Sequence, residues 1–330
     1  MLAQWPKSVS RDLRLTPGKT ALRCGSPASP PVLEAHRVAE EAEKAVLSLP
    51  EACRAGYEPF IVCLAVDEPA IHLMPLHFLP ERSRGIVAHD SLHQLAVAAK
   101  LEYARNRWLD GMVDGDVGAP GLTLAVHGLN DALLALINSR YARVLHGPAA
   151  GTFFATLASL HARHALSVIL DRTWSGRPET RIILEKYVEH AEARHGPVRA
   201  PVDAVLLLAG ASEEDLQRAR LSWHRWALGV QFYDDALDTE EDFRNHSPSW
   251  AVSRTLEHFP GRLPDTDLFY ETALREGVVC ESLAHAESFF AESARLAEPS
   301  FPSWATFQRE CLAQARVLRE DYEKLVAGLA

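Results

Sequence analysis

Apolar residues recur at spacings of three and four along almost the whole chain after its first 31 residues. In the stretch VLEAHRVAEEAEKAVLSL this apolar face carries Val38, Ala42, Ala45, Val46 and Leu49. Such spacing is typical of an amphipathic helix, because one helical turn takes about 3.6 residues. The same pattern predicts further helices over about residues 88–113, 121–146, 150–173, 178–195, 198–210, 213–242, 266–296 and 303–328.

Short stretches with Gly and Pro separate these helices, and Ser212 before three acidic residues has the pattern of an N-cap. Only EPFIVCLAV, near residue 60, has an ambiguous strand pattern. Residues 1–31 contain five prolines and show little periodicity. We therefore predict an irregular N-terminal arm over residues 1–31, followed by one all-α helical bundle with a central cavity over residues 32–330.

Composition and charge narrow the class of protein. The chain has 330 residues, of which 47% are apolar, and a formal net charge of −10. It is therefore a poor ligand for nucleic acid, which is a polyanion. Five scattered cysteines without a CxxC pair indicate reduced thiols and a cytoplasmic location. The start has no signal-peptide pattern, and the apolar run near AVLLLAGA is far shorter than a membrane span of about 20 residues, so we expect no integral membrane segment.

The stretch GVQFYDDALDTEEDF, residues 229–243, is the strongest candidate for chemistry. Asp234, Asp238 and Asp242 are four residues apart and share one face of a helix, and Asp235 flanks them. Like charges at this spacing destabilise a helix by roughly 0.2–0.5 kcal/mol per pair. The repulsion indicates that something cationic binds there.

An apolar stripe of Trp223, Ala227 and Val230 leads up to these carboxylates on the same helix. The carboxylates therefore lie at the mouth of a core or cavity. Mg²⁺ would remove the repulsion, because it binds carboxylate oxygens and often shares its coordination sphere with phosphates. An EF-hand is excluded, because the glycine required at its sixth loop position is absent. The alternative interpretation is a solvated acidic helix end.

A second pair of carboxylates lies in YARNRWLDGMVDGD. Asp110 and Asp114 are four residues apart, and Tyr103, Asn106 and Arg107 lie one to two turns upstream on nearly the same face. One such pair is weak evidence for a site. Two pairs, each ending a long amphipathic helix, favour a divided metal site.

At this point the chain resembles a known family. GVQFYDDALD is similar to the second aspartate-rich motif of the class I isoprenoid enzymes, the all-α group of terpene synthases, trans-prenyl diphosphate synthases and squalene/phytoene-type synthases. AAKLEYARNRWLDGMVD resembles the helix with the first motif, and Arg194-His195 takes the place of a dyad that faces the diphosphate. The resemblance covers about residues 85–245. It departs from the family at Gly111, where many members have Asp, and at GDVGAPG, which replaces the arginine pair of chain-elongating enzymes.

The resemblance implies that the two acidic helices face each other and hold Mg²⁺, typically three ions, which bind an allylic diphosphate. It implies metal ligation by Asp110, Asp114, Asp234, Asp235 and Asp238, all of which except Asp235 are also assigned to catalysis. Diphosphate contacts are assigned to Arg194, Arg319 and Tyr322. Pocket residues would be Tyr103, Phe153, Phe154, Trp223, Ala227, Val230 and Gln231. For each aromatic residue the competing interpretation is core packing, and Gly229 either makes room for a substrate tail or lets two helices pack closely.

From the residues and this resemblance we expect a Mg²⁺-dependent class I terpene synthase. It would ionise a linear prenyl diphosphate and cyclise it to a hydrocarbon or alcohol. The first alternative is a prenyl diphosphate synthase that adds isopentenyl diphosphate. Two others are a non-catalytic isoprenoid-binding protein and an HD-type metal phosphohydrolase, suggested by His89, Asp90 and His93. A homodimer is left open.

Overall fold

The computed structural model describes residues 30–50, 73–83, 85–114, 123–174 and 182–329. Its helices are α1 Pro30–Leu47, α2 Met74–His77, α3 His89–Asp114, α4 Thr123–Val144, α5 Gly147–Trp174, α6 Leu184–His195, α7 Ala200–Leu208, α8 Glu213–Asn245, α9 Trp250–Leu256, α10 Thr266–Arg275, α11 Val278–Ala297 and α12 Pro302–Leu329. Two short 3₁₀ turns, Glu81–Ser83 and Gly196–Arg199, accompany them. These residues contain no strand, and the prediction of an all-α fold is confirmed.

Most predicted helices end within a few residues of the observed ends. The stretch predicted as one helix over 266–296 is two helices, because Gly277 adopts a φ of 73° and ends the helical path. The seven-residue helix α9 was not predicted, since it is too short to show a period. The ambiguous strand near residue 60 and nearly all of the N-terminal arm lie outside the described residues, and α1 begins at Pro30.

Helix α8 forms the centre of the second half of the chain, where it packs most extensively against α11, and α11 packs in turn against α12. Gly229 lies at the contact between α8 and α11. A Cβ atom there would be 2.5 Å from Cε1 of Phe290, well inside van der Waals contact. Gly229 therefore permits close helix packing, and that interpretation replaces the one of room for a substrate tail.

Helix α3 forms the centre of the first half of the chain, where it packs against α1, α4 and α7. Helix α5 packs against α6. The segment Gly147–Leu170 of α5 is long and apolar enough to cross a membrane, although only 28% of it is buried in the protein. The sequence analysis overlooked this segment, because Ser, Thr, His and Arg interrupt its apolar run. Length and composition alone are weak evidence for a membrane span.

Candidate functional site

The acidic segment lies in the last three turns of α8. Ser212 caps the start of this helix by accepting a hydrogen bond from the amide of Asp215, and His246 ends it in the left-handed region with φ 57°. Within the segment the side chain of Asp234 is exposed, Asp238 is half-buried, and Asp235 is only 2% exposed. One helical stretch therefore carries carboxylates in two different environments.

The buried carboxylate of Asp235 accepts hydrogen bonds from three protein donors. The hydroxyl of Tyr187 on α6 lies 2.7 Å from Oδ1 and 2.6 Å from Oδ2. The side-chain amide of Gln231 donates to Oδ1 at 3.0 Å, and the backbone amide of Trp250 on α9 donates to Oδ2 at 3.1 Å. Burial raises the pKa of Asp235 to about 6, and these hydrogen bonds oppose that rise.

Gln231, predicted as a pocket residue, belongs to this hydrogen-bond network. Besides donating to Asp235, its carbonyl oxygen accepts a hydrogen bond of 3.0 Å from Nε2 of His195 on α6. Both ends of its side chain are therefore used inside the protein. Gln231 therefore connects α8 to the end of α6.

Asp242, two turns after Asp235, lies in the last turn of α8. Burial raises the pKa of Asp242 well above its ordinary value, the charges of Asp235 and Asp238 raise it further, and a hydrogen bond from Ser249 opposes the rise. The negative charges of the segment thus interact as the sequence predicts. This concentration of negative charge suits a cation.

Arg194 lies close to this charge. It occupies the last turn of α6, and its positive charge lowers the pKa of both Asp235 and Asp242. Its backbone carbonyl accepts a hydrogen bond of 2.7 Å from Nδ1 of His164 on α5. Of the three predicted diphosphate contacts, Arg194 is the cation that the fold brings to the acidic segment.

The other two predicted diphosphate contacts lie on α12 and have different surroundings. Arg319 forms an ion pair of 2.6 Å with Glu287 on α11 and another with Glu323. Tyr322 is buried and shares a hydrogen bond with Tyr270 on α10. Burial raises the pKa of Tyr322, and the charge of Asp238 adds to the rise. Tyr322 is therefore near the acidic segment, whereas Arg319 is engaged by two carboxylates.

Asp110 and Asp114 belong to the last two turns of α3, but their side chains lie outside the described residues. Their ligation of metal and the facing of Asp110 and Asp234 across a cavity remain predictions. Among the side chains that the structure does describe, no three His, Cys, Asp or Glu residues form a group that could hold a metal ion. Helix α8 alone therefore does not complete a metal site.

Just below Asp110, α3 buries a polar cluster against α4 and α5. Glu102 is fully buried, and its Oε1 accepts hydrogen bonds of 3.1 Å from Arg105 and His161. The Nε of Arg105 donates to Asn130 at 2.8 Å. Within the described part of the chain, Glu102 Oε2, Asn106 Nδ2 and the hydroxyl of Tyr141 are buried without a hydrogen-bond partner. Asn106 was singled out with Asp110, but the polar cluster around it was not predicted.

The predicted pocket residues other than Gln231 all belong to one continuous apolar core or pack against it. Phe153 is 1% exposed and contacts Tyr141, with ring centroids 4.6 Å apart, and Phe154 packs on Phe153. Trp223 is equally buried and lies 6.0 Å from Trp226. Tyr103 is half-buried, with the Lys100 ammonium 5.8 Å from its ring centroid. The structure describes packing at these positions, and their contact with a substrate stays a prediction, as it does for Ala227 and Val230.

The residues that suggested a phosphohydrolase do not lie together in one site. His89 and Asp90 are exposed at the start of α3, whereas His93 bonds Glu34 and Glu41 of α1 at 2.8 and 2.7 Å. His161 on α5, a further histidine that such a site could have used, bonds Glu102. These contacts tie helices together and do not converge on one point.

Comparison with known proteins places the fold. No family model matches the sequence, and no curated protein matches it significantly. A polyprenyl synthase from Caulobacter crescentus CB15, solved in complex with calcium and isoprenyl diphosphate, matches with a TM-score of 0.70 at 18% identity, over 86% of this chain and 94% of that chain. The chain has the fold of the prenyl diphosphate synthases.

Two further synthases match equally well. A geranylgeranyl pyrophosphate synthetase from the archaeon Geoglobus acetivorans has a TM-score of 0.68 at 17% identity, over 87% of this chain and 98% of that one. A heptaprenyl diphosphate synthase from Staphylococcus aureus has a TM-score of 0.69 at 12% identity, over 88% and 98%. This likeness at low identity shows the fold, and it confirms the expected all-α helical bundle of this type.

Three residues of the site were missed by the sequence analysis. Tyr187 and Trp250 bond Asp235 from other helices, and Tyr270 bonds Tyr322 beside the charge of Asp238. Tyr187 lies seven residues before Arg194 on one helix face, a spacing visible in the sequence. No signal in the sequence pointed to Trp250 or Tyr270, because their contacts depend on how α9 and α10 fold back on α8.

Proposed function

We propose that this protein is a prenyl diphosphate synthase, an enzyme that transfers the prenyl group of an allylic diphosphate to isopentenyl diphosphate. One observation carries the proposal: almost the whole length of the matching prenyl diphosphate synthases corresponds to this chain. The acidic segment of α8 and the nearby Arg194 supply the charges that such a reaction needs. Isoprenyl diphosphate and calcium occur together in one of those synthases.

In this proposal Asp234 and Asp238 of α8, together with Asp110 and Asp114 of α3, hold Mg²⁺. When bound, Mg²⁺ neutralises the diphosphate and makes it a better leaving group. Arg194 donates hydrogen bonds to a diphosphate oxygen, for which a guanidinium is well suited. The bond between the allylic carbon and the diphosphate oxygen breaks, and its electron pair leaves with the diphosphate. The π electrons of the alkene of isopentenyl diphosphate then form a bond to the allylic carbon, and loss of a proton to the released diphosphate restores an alkene.

A terpene synthase is the second candidate, favoured by the missing arginine pair after Asp114. A cyclisation cascade needs a dry, apolar cavity, because water or a polar group quenches the carbocation. The two candidates differ in whether isopentenyl diphosphate is consumed.

Incubation with allylic diphosphates of 10, 15, 20 and 25 carbons, each with and without isopentenyl diphosphate, tests the proposal. Longer prenyl diphosphates that form only in the presence of isopentenyl diphosphate would support a synthase. A hydrocarbon or alcohol formed without it would replace the proposal by the terpene synthase. A protein that binds these compounds and turns none over would be a non-catalytic binder.

We also propose that two copies associate through α5. Leu166 and Ile169 are 61% and 59% exposed on an uncharged stretch of this apolar helix. A second copy is a better occupant than an anionic lipid surface, because the chain carries a net charge of −10. Light scattering after size exclusion should give a dimer mass, and L166E/I169E should give a monomer. A wild-type monomer would contradict this contact.

A further inference from the structure

The six carboxylates of the acidic segment divide by environment. Asp234 projects from the helix surface, and Asp238 is half-buried at its edge. Asp235, directly between them in sequence, points into the protein. A side chain that points into the protein is poorly placed to bind the same metal ion as a side chain that points out of it. The DDxxD spacing therefore does not by itself assign the same task to all three residues.

The surroundings of Asp235 connect three helices. Tyr187 comes from α6, 48 residues earlier, and Trp250 from the first turn of α9, 15 residues later. Gln231 adds a contact within α8 and reaches His195 at the end of α6. The same carboxylate thus joins the helix with the acidic segment to the helix with Arg194.

The oxygens of Asp235 have little capacity left for a metal ion. Each carboxylate oxygen offers about two lone pairs. Oδ1 lies within hydrogen-bond distance of Tyr187 and Gln231, and Oδ2 within that of Tyr187 and the Trp250 amide. Because Tyr187 has a single hydroxyl hydrogen shared by the two oxygens, three donated hydrogens take up about three of the four acceptor sites of this carboxylate. A metal ion bound to Asp235 would have to enter the one remaining site, at a side chain that is only 2% exposed.

We propose that Asp235 is a positioning residue that fixes α8 against α6 and α9, and that it is not a metal ligand. It thereby holds Asp234, Asp238 and Arg194 in their mutual arrangement. This inference rests on the proposed function for the part that concerns metal and diphosphate. Its structural part, the connection of three helices, stands apart from any activity.

Thermal shift with Mg²⁺ and inorganic diphosphate separates positioning from ligation. The wild-type protein should gain thermal stability from the mixture, and D234N and D238N should lose that gain almost completely. D235N and Y187F should still gain thermal stability, because the proposed metal ligands Asp234 and Asp238 are present. The concentration of Mg²⁺ and diphosphate that gives half of the gain should rise roughly five- to thirtyfold, because these ligands are less well held. Y141F is the matched control, since its hydroxyl has no hydrogen-bond partner within the described residues. It should leave the gain unchanged, and its melting temperature should stay the same or rise, because a buried hydroxyl without a partner is removed.

A double-mutant cycle sharpens the comparison. If Asp235 acts through its bond to Tyr187, D235N/Y187F should shift the half-effect concentration little more than the stronger single variant. Additive effects, or a complete loss of the gain in D235N, would overturn the inference, because a metal ligand acts independently of Tyr187.

Hydrogen exchange of the Trp250 amide keeps the test valid if the proposed function fails. Should the wild-type protein gain nothing from Mg²⁺ and diphosphate, the proposed function falls, and the exchange result alone decides the inference. D235N should then speed the exchange of the Trp250 amide by tenfold or more, while E241Q, at an exposed position, should leave it unchanged. An amide that stays equally protected in D235N would overturn the connection between α8 and α9.

Discussion

The two helices with acidic segments, α3 and α8, both bury a carboxylate, but they satisfy it differently. Asp235 on α8 is surrounded by neutral donors that use both of its oxygens. Glu102 on α3 is paired with the cation Arg105 through one oxygen, while the other has no hydrogen-bond partner in the described part of the chain. Neutral donors stabilise a carboxylate without burying a second charge. An ion pair makes each partner depend on the other.

The difference separates function from stability. On α8 the carboxylates that face outward can be changed without disturbing the core, so their loss should affect activity. On α3 the buried pair supports the core, so its loss should affect folding. Five sets of changes test this contrast and the packing around the two helices.

The largest effect should follow the removal of an outward carboxylate. D234N and D238N keep the side-chain shape but remove the charge, and each should lower turnover of a prenyl diphosphate by about 100-fold or more, as expected when a charge stabiliser is lost. The melting temperature without metal should stay the same or rise, because repulsion decreases. Initial rates and thermal melts measure both quantities, with E241Q as the control. Equal rates for D234N and E241Q would mean that the acidic segment is only a solvated helix end and has no role in turnover.

Breaking the buried pair on α3 should have the largest effect on stability. E102L leaves the guanidinium of Arg105 buried without its carboxylate, which should lower the free energy of unfolding by about 3–5 kcal/mol. The double variant E102L/R105M removes both charges and should recover most of this loss. Urea denaturation measures the difference. A single variant as stable as the wild type would mean that the pair contributes nothing.

Acid should destabilise the protein through His77, which packs against Trp304 and Phe307 of α12. Burial lowers the pKa of His77 from 6.5 to about 4. The unfolded chain therefore takes up this proton first, and the free energy of unfolding should fall between pH 6.5 and about 4, by at most about 3 kcal/mol. H77Q should flatten that part of the pH profile in urea denaturation. An unchanged slope in H77Q would contradict the assignment.

His93 on α3 should act in the opposite direction. Burial alone would lower its pKa, but Glu34 and Glu41 outweigh burial and raise the pKa above 6.5. Its contribution to stability should be complete below pH 6.5 and disappear as the pH rises through the raised value. The free energy of unfolding of H93Q, measured by urea denaturation, should therefore be closest to that of the wild type at high pH.

The smallest effect concerns the contact of α8 with α11. G229A places a methyl group against the ring of Phe290, and we expect a loss of about 1–3 kcal/mol despite the better helix propensity of Ala. G151A on α5 is the control, because nothing lies within 4 Å of a Cβ atom there. It should stabilise the protein by up to about 1 kcal/mol. If both variants gain stability, the close packing at Gly229 is wrong.

The sequence predicted what depends on local pattern. Apolar spacing gave helix α8 as 213–242 against the observed Glu213–Asn245, and the i, i+4 rule placed Asp234 and Asp238 on neighbouring positions of one helix. It could not show that Asp235 points inward, because its partner Tyr187 is 48 residues away. It also could not show that Gln231 bonds Asp235 and His195, since a helical face does not reveal what lies opposite, and the place of Gln231 in a pocket stays a prediction.

The most direct test of the account is the metal dependence of turnover. Diphosphate release from a prenyl diphosphate, in the presence of isopentenyl diphosphate, should be measured with Mg²⁺, after EDTA, and after Mg²⁺ is restored. The account predicts that EDTA abolishes the reaction and that Mg²⁺ restores it in the wild-type protein but not in D234N. Turnover that survives EDTA would contradict a metal role for the acidic segment.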